Sequence, residues 1–395
     1  MTTEASFAER LPLADAWMWL DACPDAAGPE PVPLNQAFGR VLAAPVIFPE
    51  DRPDCDLALM DGYAVHAEST LGADSYNPLF LALVPKGSRV TAGSACLCWA
   101  GEAPPPGADA VAPLDVGQAT GAVVELCAAI PRGAGLARRG DAARCGDIAI
   151  PAGLRLAAAR IALAASLGAT QLTVRRRPDV ALVLVGAKPP AIEALGVALC
   201  GLVERDGGVA RCAARCGDMT QTLAGIAAAD IVVVVGRSGW GEDDDAARAI
   251  AAARGRLDHH GLAIAPGGSA GLGWLGSAPL LLLPGDPLSA LATYELLAGR
   301  LLRRLAGRAS PWPYPLRRFT LSRKIASPIG VSEWTPVVCR GSSAEPLALS
   351  PADGLAGYAR ADGFLVVPAG LEGYAPGEGV EIVVASEPAA TQERL

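Results

Sequence analysis

The residues with the clearest potential for chemistry lie in one segment, DIVVVVGRSGWGEDDDA, residues 230–246. An apolar strand is followed there by a glycine-rich loop, and the loop leads into a helical pattern. Such a junction exposes backbone N–H groups beside the positive end of a helix, where an anionic group such as a phosphate can bind. The loop residues predicted to contact an anionic ligand are Gly236, Arg237, Ser238, Gly239 and Gly241.

The acidic run that follows this loop, Glu242 to Asp245, allows two interpretations. As the first turn of a helix over residues 242–254, the acids are solvated and stabilised by the helix dipole. As a group of carboxylates, they suit a hard cation such as Mg²⁺, with Glu242, Asp244 and Asp245 as the ligands. We favour the first interpretation and keep the metal site as the alternative. The histidine pair 259–260 is predicted to be exposed after this helix.

Strands and helices alternate from residue 178 to about 308 and predict the scaffold that holds the loop. The short apolar strands DVALVLVG, DIVVVVG and APLLLLPG are typical of a parallel sheet with helices on both faces. In the last unit, Asp286 is predicted as the N-cap and Pro287 as the first residue of a helix closed by Gly307. The apolar stripe of that helix is predicted to be Leu291, Tyr294, Ala298, Leu301 and Leu305.

The remaining segments predict further domains around this α/β part. Helical patterns cover residues 7–22 and 155–167, the second closed by Gly168, whereas short apolar runs broken by Gly and Pro indicate β-rich modules. The predicted domains are a mixed N-terminal domain (7–45 and 140–177), an inserted β-rich domain (46–139), the α/β domain (178–312) and a C-terminal β domain (313–395).

Composition narrows the function classes. The 395-residue chain carries 33 Lys and Arg against 41 Asp and Glu, a net charge of −8, which argues against a nucleic-acid partner. The start lacks the basic region of a signal peptide, and no apolar run approaches the ~18 residues that span a bilayer, so we expect a cytoplasmic protein with no membrane partner. The ten cysteines show neither zinc nor disulfide spacing and are predicted to be buried thiols.

Five further motifs follow one another along the chain. They are LMDGYAV (59–65), GEAPPPGADAV (101–111), CGDIAIPAGLRLAAARIALAASLGATQLTVRRRPDVALV (145–183), LPGDPLSAL (283–291) and ADGFLVVPAGLEGYAPGEGVEIV (361–383). Their sequences and order resemble those of the molybdopterin molybdenumtransferase family, whose animal member is the C-terminal part of gephyrin. The resemblance covers residues from about 10 to 385. By these motifs the chain is identified as a member of the family.

This resemblance implies a multi-domain α/β and β fold that contains a three-layer parallel α/β domain of the molybdopterin-binding type. It also implies an elongated, four-part subunit that forms a homodimer. Family enzymes insert molybdate into adenylylated molybdopterin and release AMP with help from a divalent metal, so molybdopterin and Mg²⁺ are the implied cofactors. The acids that match or neighbour family acidic positions are Asp61, Asp218 and Asp244. The further ligand contacts implied are Pro266, Gly267, Pro284, Gly285, Asp286, Pro287 and Ser289.

The sequence departs from the family at positions that contact ligand. The MKPGKP motif reads IAPGGS at 264–269, so Ala265 and Gly268 stand where the family has lysines. The SGGxSxG loop reads GRSGWG, with Arg237 and Trp240 in place of small residues, and the acidic GDE motif reads GAK at 186–188. Core and turn residues around these positions persist. The pattern indicates loss of chemistry with retention of the fold.

Two functions follow from this pattern. In the first, the protein is a molybdopterin molybdenumtransferase-like enzyme with a rewired site that still processes an anionic pterin or nucleotide. In the second, it is an inactive paralogue that acts as a scaffold or accessory factor, with a protein partner from another pterin or metal-cofactor pathway. An exposed binding surface at Trp240 would favour the second function, and a charged contact through Arg237 would favour the first.

Overall fold

The computed structural model describes residues 10–24, 27–185, 189–213, 218–226, 228–308, 311–349 and 354–385. The helices are α1 Leu13–Ala22, α2 Ala158–Ser166, α3 Pro189–Arg205, α4 Met219–Ala224, α5 Ala246–Ala252, α6 Pro287–Thr293, α7 Gly299–Leu305 and α8 Gly354–Tyr358. Short 3₁₀ helices cover Leu34–Gln36, Ala67–Thr70 and Leu114–Val116, and a π-helical segment covers Tyr294–Ala298.

The strands, in chain order, are β1 Pro29–Pro33, β2 Val46–Ile47, β3 Leu57–Ala58, β4 Gly62–Val65, β5 Leu79–Val84, β6 Ser94–Cys98, β7 Ala110–Pro113, β8 Gly117–Thr120, β9 Val123–Leu126, β10 Leu136–Ala137, β11 Ile148–Ile150, β12 Gln171–Arg175 and β13 Asp179–Leu184. They continue with β14 Val209–Ala213, β15 Ile231–Val235, β16 Gly255–His260, β17 Ile264–Ala265, β18 Gly271–Leu275, β19 Ala278–Leu283, β20 Leu316–Leu321, β21 Ile325–Ala326, β22 Ser332–Arg340, β23 Ser343–Pro346, β24 Gly363–Val367, β25 Gly373–Tyr374 and β26 Gly379–Val384.

The chain divides into two compact units. The first comprises residues 1–44, 153–157 and 171–395, and the second comprises residues 45–152 and 158–170. The second unit contains the whole segment 46–139 that the sequence predicts as an inserted β-rich domain. It is built on a six-stranded sheet of order β7-β4-β6-β5-β9-β8, with α2 and the short pairs β3–β10 and β2–β11.

The central sheet of the first unit has the order β14-β13-β15-β19-β18-β16. Its first four strands are parallel, as the alternation of apolar strands and helices predicts. Strands β18 and β16 extend the sheet in antiparallel fashion, a feature that the sequence analysis does not predict. Because the parallel strands share one direction, the loops after β15 and β19 leave the same edge of the sheet.

Both faces of this sheet are buried, since alternate residues of a strand point to opposite faces. Along β13, Leu182 packs with Leu195 of α3 and Leu291 of α6 on one face. Val183 packs with Leu223 of α4 and Ile250 of α5 on the other. This three-layer arrangement is the fold class that the sequence predicts, and it fixes the positions of the loops that follow the strands.

The C-terminal part of the first unit forms a second sheet, in which β22, β23, β20, β26 and β24 pair in a closed ring. Strand β17 joins this ring through parallel pairing of Ile264 with Ser332. The small C-terminal β domain predicted from the sequence is therefore connected by backbone hydrogen bonds to the segment at Ala265.

The starts of α1 and α2 differ from the sequence predictions. Helix α1 begins at Leu13 because Leu11 donates its N–H to Gly261 and forms a bridge with Leu262, while the predicted start at residues 7–9 lies outside the described residues. Helix α2 begins at Ala158, since Arg155 forms a bridge with Val41 instead of joining the helix. Among the described residues, no helix is both long and apolar enough to cross a membrane.

The cysteines correct another prediction. The described thiols are free, but Cys55, Cys127 and Cys145 are exposed and not buried, because each lies in a surface turn or loop. Burial raises the pKa of the Cys23 thiol to about 11.

Candidate functional site

Three segments of the first unit meet at the carboxyl edge of the central sheet: the β15 segment (residues 236–241), the β17 segment (264–269) and the β19 segment (284–289). Gly236 donates its N–H to Leu283 at 3.0 Å, which joins the first segment to the end of β19. A Cβ on Gly285 would lie 3.1 Å from the Cα of Gly236. The two backbones therefore approach closely because both positions are glycine.

The β15 segment begins with two residues in the left-handed region. Gly236 has φ of 105°, and a Cβ there would lie 2.0 Å from the carbonyl oxygen of Val185. Arg237 has φ of 52°, although it carries a side chain. Its exposed guanidinium lies 3.3 Å from the carboxylate of Asp245, as an ion pair at the surface. Arg237, predicted as a ligand contact, is therefore a surface cation of this loop with Asp245 as its acidic partner.

Ser238 is buried, and it joins the β15 segment to two other parts of the chain. Its hydroxyl lies 2.8 Å from the hydroxyl of Ser269 in the β17 segment, and its carbonyl oxygen lies 2.8 Å from Nε2 of His260. Within the described residues, the N–H groups of Ser238 and Gly239 donate to no protein acceptor. These two donors are available for an anionic ligand.

Trp240 stacks on His260, with ring centroids 5.1 Å apart and planes within 20°. His260 is half-buried at the end of β16, together with His259. The prediction of an exposed histidine pair is therefore wrong, because both histidines are half-buried and the antiparallel edge brings His260 against the β15 segment. Neither His260 nor Ser269 was predicted as a site residue, since nothing in their local sequence indicates that they contact Ser238.

The acidic run is neither a helical turn nor a group of metal ligands. Helix α5 begins at Ala246, so the predicted helix over residues 242–254 starts four residues too early. Asp244 instead accepts the N–H of Gly241 at 3.0 Å, and Asp245 faces Arg237. Acids bonded to nearby backbone groups compete with helix formation, which explains the later start.

The predicted magnesium ligands Glu242, Asp244 and Asp245 do not come together. Across the described ranges, no three His, Cys, Asp or Glu side chains form a group that could hold a metal ion. One oxygen of Asp245 is buried without a hydrogen bond, but a lone oxygen beside a guanidinium does not make a cation site. The residues present do not fit Mg²⁺, and we derive no step that depends on it.

The β17 segment carries the sites at which the family motif has lysines. Ala265 is half-buried and pairs in register with Glu333 of β22. Gly267 has φ of 113°, and a Cβ there would lie 2.2 Å from a methyl carbon of Thr293, so only glycine fits after Pro266. A Cβ on Gly268 would lie 3.1 Å from a guanidinium nitrogen of Arg10. An arginine from a distant part of the chain therefore lies beside a position where the family has a lysine.

The β19 segment has the capped helix start that its sequence predicts. Asp286 is the N-cap, its carboxylate accepts the N–H of Ser289 at 2.9 Å, and Pro287 is the first helical residue after the turn at Pro284. Ser289 is 6% exposed and its carbonyl oxygen accepts the hydroxyl of Thr293. The carboxylate of Asp286 thus stabilises the turn through the backbone N–H of Ser289, and Gly285 brings the backbone of the turn against Gly236.

Two of the three predicted catalytic acids make local hydrogen bonds elsewhere. Asp218 is the N-cap of α4 and accepts the N–H of Gln221 at 3.1 Å. Asp61 belongs to the second unit, where it accepts the N–H of Ala100 at 2.9 Å. The structure therefore brings together Asp244 and the predicted ligand contacts of the three segments, whereas Asp218 caps α4 and Asp61 accepts a backbone N–H in the second unit. The GAK segment at 186–188 lies outside the described residues.

Comparison with known proteins defines the class of this fold. Residues 8–168 match the family model for the MoeA N-terminal region (domain I and II), and residues 318–385 match the model for the MoeA C-terminal region (domain IV). The crystal structure of the molybdopterin biosynthesis MoeA protein from Pyrococcus horikosii aligns with a TM-score of 0.80 and 27% identity, over 96% of this chain and 100% of that one. The fold is that of a MoeA-like multi-domain protein.

Curated relatives match over the same extent. Molybdopterin molybdenumtransferase 2 of Mycobacterium tuberculosis is 28% identical over 389 residues, and molybdopterin molybdenumtransferase 1 of that organism is 29% identical over 413 residues. Each match covers 90% of this chain and 95% of the relative. The chain belongs to the MoeA family of molybdopterin molybdenumtransferases, as its motifs predict.

Proposed function

We propose that this protein acts in molybdenum cofactor biosynthesis in the cytoplasm, as a homodimer that binds an anionic, molybdopterin-type ligand on the three segments but inserts molybdate slowly. One observation carries the proposal. The close backbone approach at Gly236, Gly267 and Gly285 is retained, whereas Ala265 and Gly268 themselves supply no charge for an oxyanion, and the guanidinium of Arg10 beside Gly268 stands against the two lysines of the family motif.

The three segments, whose glycines are retained, suit an anionic pterin ligand better than they suit molybdate. Free N–H groups at Ser238 and Gly239 lie at the carboxyl edge of the sheet, where backbone donors and helix ends hold phosphate groups. The hydroxyl pair of Ser238 and Ser269 adds further hydrogen-bonding capacity beside them. In this proposal the pterin ligand is positioned by backbone groups, and Arg237 supplies a cation at the rim.

The changed part of the site weakens molybdate binding. Molybdate carries two negative charges, and loss of one partner of a partly buried ion pair costs about 3–5 kcal/mol. That cost corresponds to a loss of roughly a hundredfold to several thousandfold in affinity. Around the β15 segment, Asp244 and Asp245 add negative charge that opposes the approach of another anion.

Activity measurements test both parts of the proposal. The wild-type protein is expected to bind adenylylated molybdopterin and to release AMP slowly in the presence of molybdate. The double variant Ala265→Lys/Gly268→Lys restores the two charges, and we expect at least about a tenfold faster release. The variant Ser342→Lys, which adds a lysine in an exposed turn of the C-terminal ring, is the control and should leave the rate unchanged.

Three results would contradict the proposal. Rapid AMP release with molybdate consumption by the wild type would show that the lysine positions are not needed. Failure to bind any molybdopterin species would remove the three segments from the proposed function. A rate increase with Ser342→Lys equal to that of the double variant would show that added charge acts without regard to position.

A scaffold or accessory role with a pathway protein as partner is the second candidate, and the exposure of Trp240 favours it. This side chain is 45% exposed at the edge of the β15 segment. If the segment docks a partner protein, Trp240→Ala should weaken the complex by about 2 kcal/mol, the usual size for an aromatic anchor at an interface. If it binds a small anion, Arg237→Ala should instead weaken ligand binding by about 1.5–3 kcal/mol. Calorimetry of both variants against molybdopterin, AMP and a co-purified partner distinguishes the two.

A further inference from the structure

A cavity of about 470 Å³ in the first unit is lined largely by arginine side chains. Seven of its fifteen lining residues are arginines, namely Arg40, Arg155, the three at 175–177, Arg205 and Arg308. We call it the arginine cavity. Its volume lies within the range of about 300–1,000 Å³ that is usual for small-molecule sites.

The arginine cavity lies at the opposite edge of the central sheet from the three segments. Strand β13 begins just after Arg177, and β14 begins just after Gly208, so the cavity borders the amino ends of the parallel strands. A strand of six residues is about 20 Å long. The arginine cavity is therefore separate from the site proposed for the pterin ligand.

Ion pairs between described residues give Arg40, Arg176 and Arg205 of the cavity carboxylate partners. The pairs are Arg40 with Glu30, Arg176 with Asp230 at 2.7 Å, and Arg205 with Asp206 at 2.8 Å and Glu295 at 2.6 Å. These acids hold the arginines in fixed positions around the cavity. These acids, together with Glu204 in the cavity lining, neutralise part of the charge, so the contacts of Arg177 and Arg308 bear most directly on whether the cavity attracts an anion.

Arg177 and Arg308 contact carbonyl oxygens instead of carboxylates. Arg177 donates from Nε to Gly208 at 3.1 Å, and Arg308 donates from Nη1 to the carbonyl of Arg205. Within the described residues, neither has a carboxylate partner. Burial and the positive charge of Arg155 lower the pKa of Arg308, which shows that positive charges are crowded here.

The backbone at Gly207 leaves space for the guanidinium of Arg308. Gly207 follows the end of α3 with φ of 97°, and a Cβ there would lie 3.1 Å from Nη2 of Arg308. The guanidinium of Arg308 therefore packs against Gly207 beyond the end of α3, where it also lines the cavity. A guanidinium has five N–H donors in a fixed fork that matches phosphate oxygens, so Arg177 and Arg308 keep donors for a ligand after binding one carbonyl each.

We propose that the arginine cavity binds a small polyphosphate, a triphosphate chain that is either inorganic or part of a nucleotide. Several negative charges on a compact ligand match several fixed guanidinium groups, and bidentate arginine–phosphate contacts are strong and specific. The aromatic ring of Tyr314, which lies 5.3 Å from the guanidinium carbon of Arg205, offers an apolar wall for a base. This proposal does not depend on the function proposed for the three segments.

Calorimetry of the full chain with inorganic triphosphate and with ATP tests the proposal. Both should bind saturably, and Arg177→Gln and Arg308→Gln should each weaken binding by about tenfold or more. Arg340→Gln, at an exposed position of β22, is the matched control and should bind as the wild type does. Equal affinities would identify the phosphate chain alone as the ligand, and tighter ATP binding would show that the nucleoside also contacts the cavity.

A second measurement uses only the wild type, in case a variant does not fold. Phenylglyoxal modification with peptide mapping should show that triphosphate protects Arg177 and Arg308. Absence of binding at millimolar concentration would overturn the proposal and leave the arginines as caps of helix ends. Binding that is lost in Arg237→Gln but retained in both cavity variants would place the anion at the three segments, and it would overturn the proposal equally.

Discussion

Arg237 places a side chain in a backbone conformation that favours glycine. Its φ of 52° lies in the region that glycine adopts without strain, and the family motif has glycine at this position. A side chain there costs about 1–2 kcal/mol, whereas its exposed ion pair with Asp245 returns about 0–1 kcal/mol. Because the backbone keeps this conformation, the arginine side chain lowers the free energy of unfolding of the protein.

This cost can be measured with two variants that both remove the guanidinium. We expect Arg237→Gly to be about 0.5–1 kcal/mol more stable than Arg237→Ala, since glycine relieves the strain but gains freedom in the unfolded chain. Urea denaturation of the two proteins gives the difference. An alanine variant as stable as the glycine variant would mean that the loop relaxes to a negative φ.

Within the helices, a buried charged network lies where α6 passes through the π-helical segment into α7. Asp206 is fully buried and contacts Arg205 at 2.8 Å, Arg303 at 3.0 Å and the hydroxyl of Tyr294 at 3.1 Å. Removal of one charge from such a group leaves the opposite charge buried without compensation. The network therefore contributes to stability only while it is complete.

The variant Asp206→Asn tests the network because it preserves shape and removes charge. It should lower the free energy of unfolding by about 3–5 kcal/mol. The matched control is Asp21→Asn, which breaks an ion pair with Arg300 of the same 2.7–2.8 Å length at the surface and should cost about 0–1 kcal/mol. Equal costs for the two variants, measured by urea denaturation, would contradict the assignment.

Helix α1 is attached to the antiparallel edge of the central sheet through Asp258. This carboxylate accepts the indole N–H of Trp19 at 3.0 Å and that of Trp274 at 2.8 Å. Burial alone would raise the pKa of Asp258, but hydrogen bonds from Arg256 and the two tryptophans lower it below its ordinary value. The charged form is therefore favoured in the folded protein.

A lowered pKa predicts a pH dependence of stability with a definite sign. The stabilisation is present above the unfolded pKa of about 3.9 and is lost as the pH falls through the lower folded value. Asp258→Asn should be less stable than the wild type at neutral pH, and the difference should shrink in acid. Denaturation midpoints at several pH values test this, and a constant difference across the acid range would contradict it.

At the scale of the whole molecule, we expect a homodimer in the absence of ligand. The expectation comes from the family, whose fold this chain adopts over nearly its full length. Light scattering at micromolar concentration should give twice the mass of the 40.1 kDa chain. A monomer at that concentration would contradict the prediction, and a dilution series would show whether the dimer dissociates.

The elements that could be predicted from the sequence are those whose signals lie within a few neighbouring residues. The apolar runs of β13, β15 and β19, the cap at Asp286 and the fully buried stripe from Leu291 to Leu305 follow from spacing and propensity within a few residues. The glycines at 236, 267 and 285 were predicted as ligand contacts, and the structure shows why each position needs glycine. Local patterns were sufficient because neighbours along the chain satisfy these constraints.

Contacts between residues that are distant in the chain could be identified only from the tertiary structure. The antiparallel edge places His260 and Ser269 against Ser238. The acids after the loop contact a nearby backbone N–H and Arg237 instead of forming a group of metal ligands. The arginine cavity is built from parts of the chain that begin near Arg40 and end near Arg308. Sequence spacing carries no signal for such contacts, because they arise from the packing of whole strands and helices, whose free energy is shared among many residues.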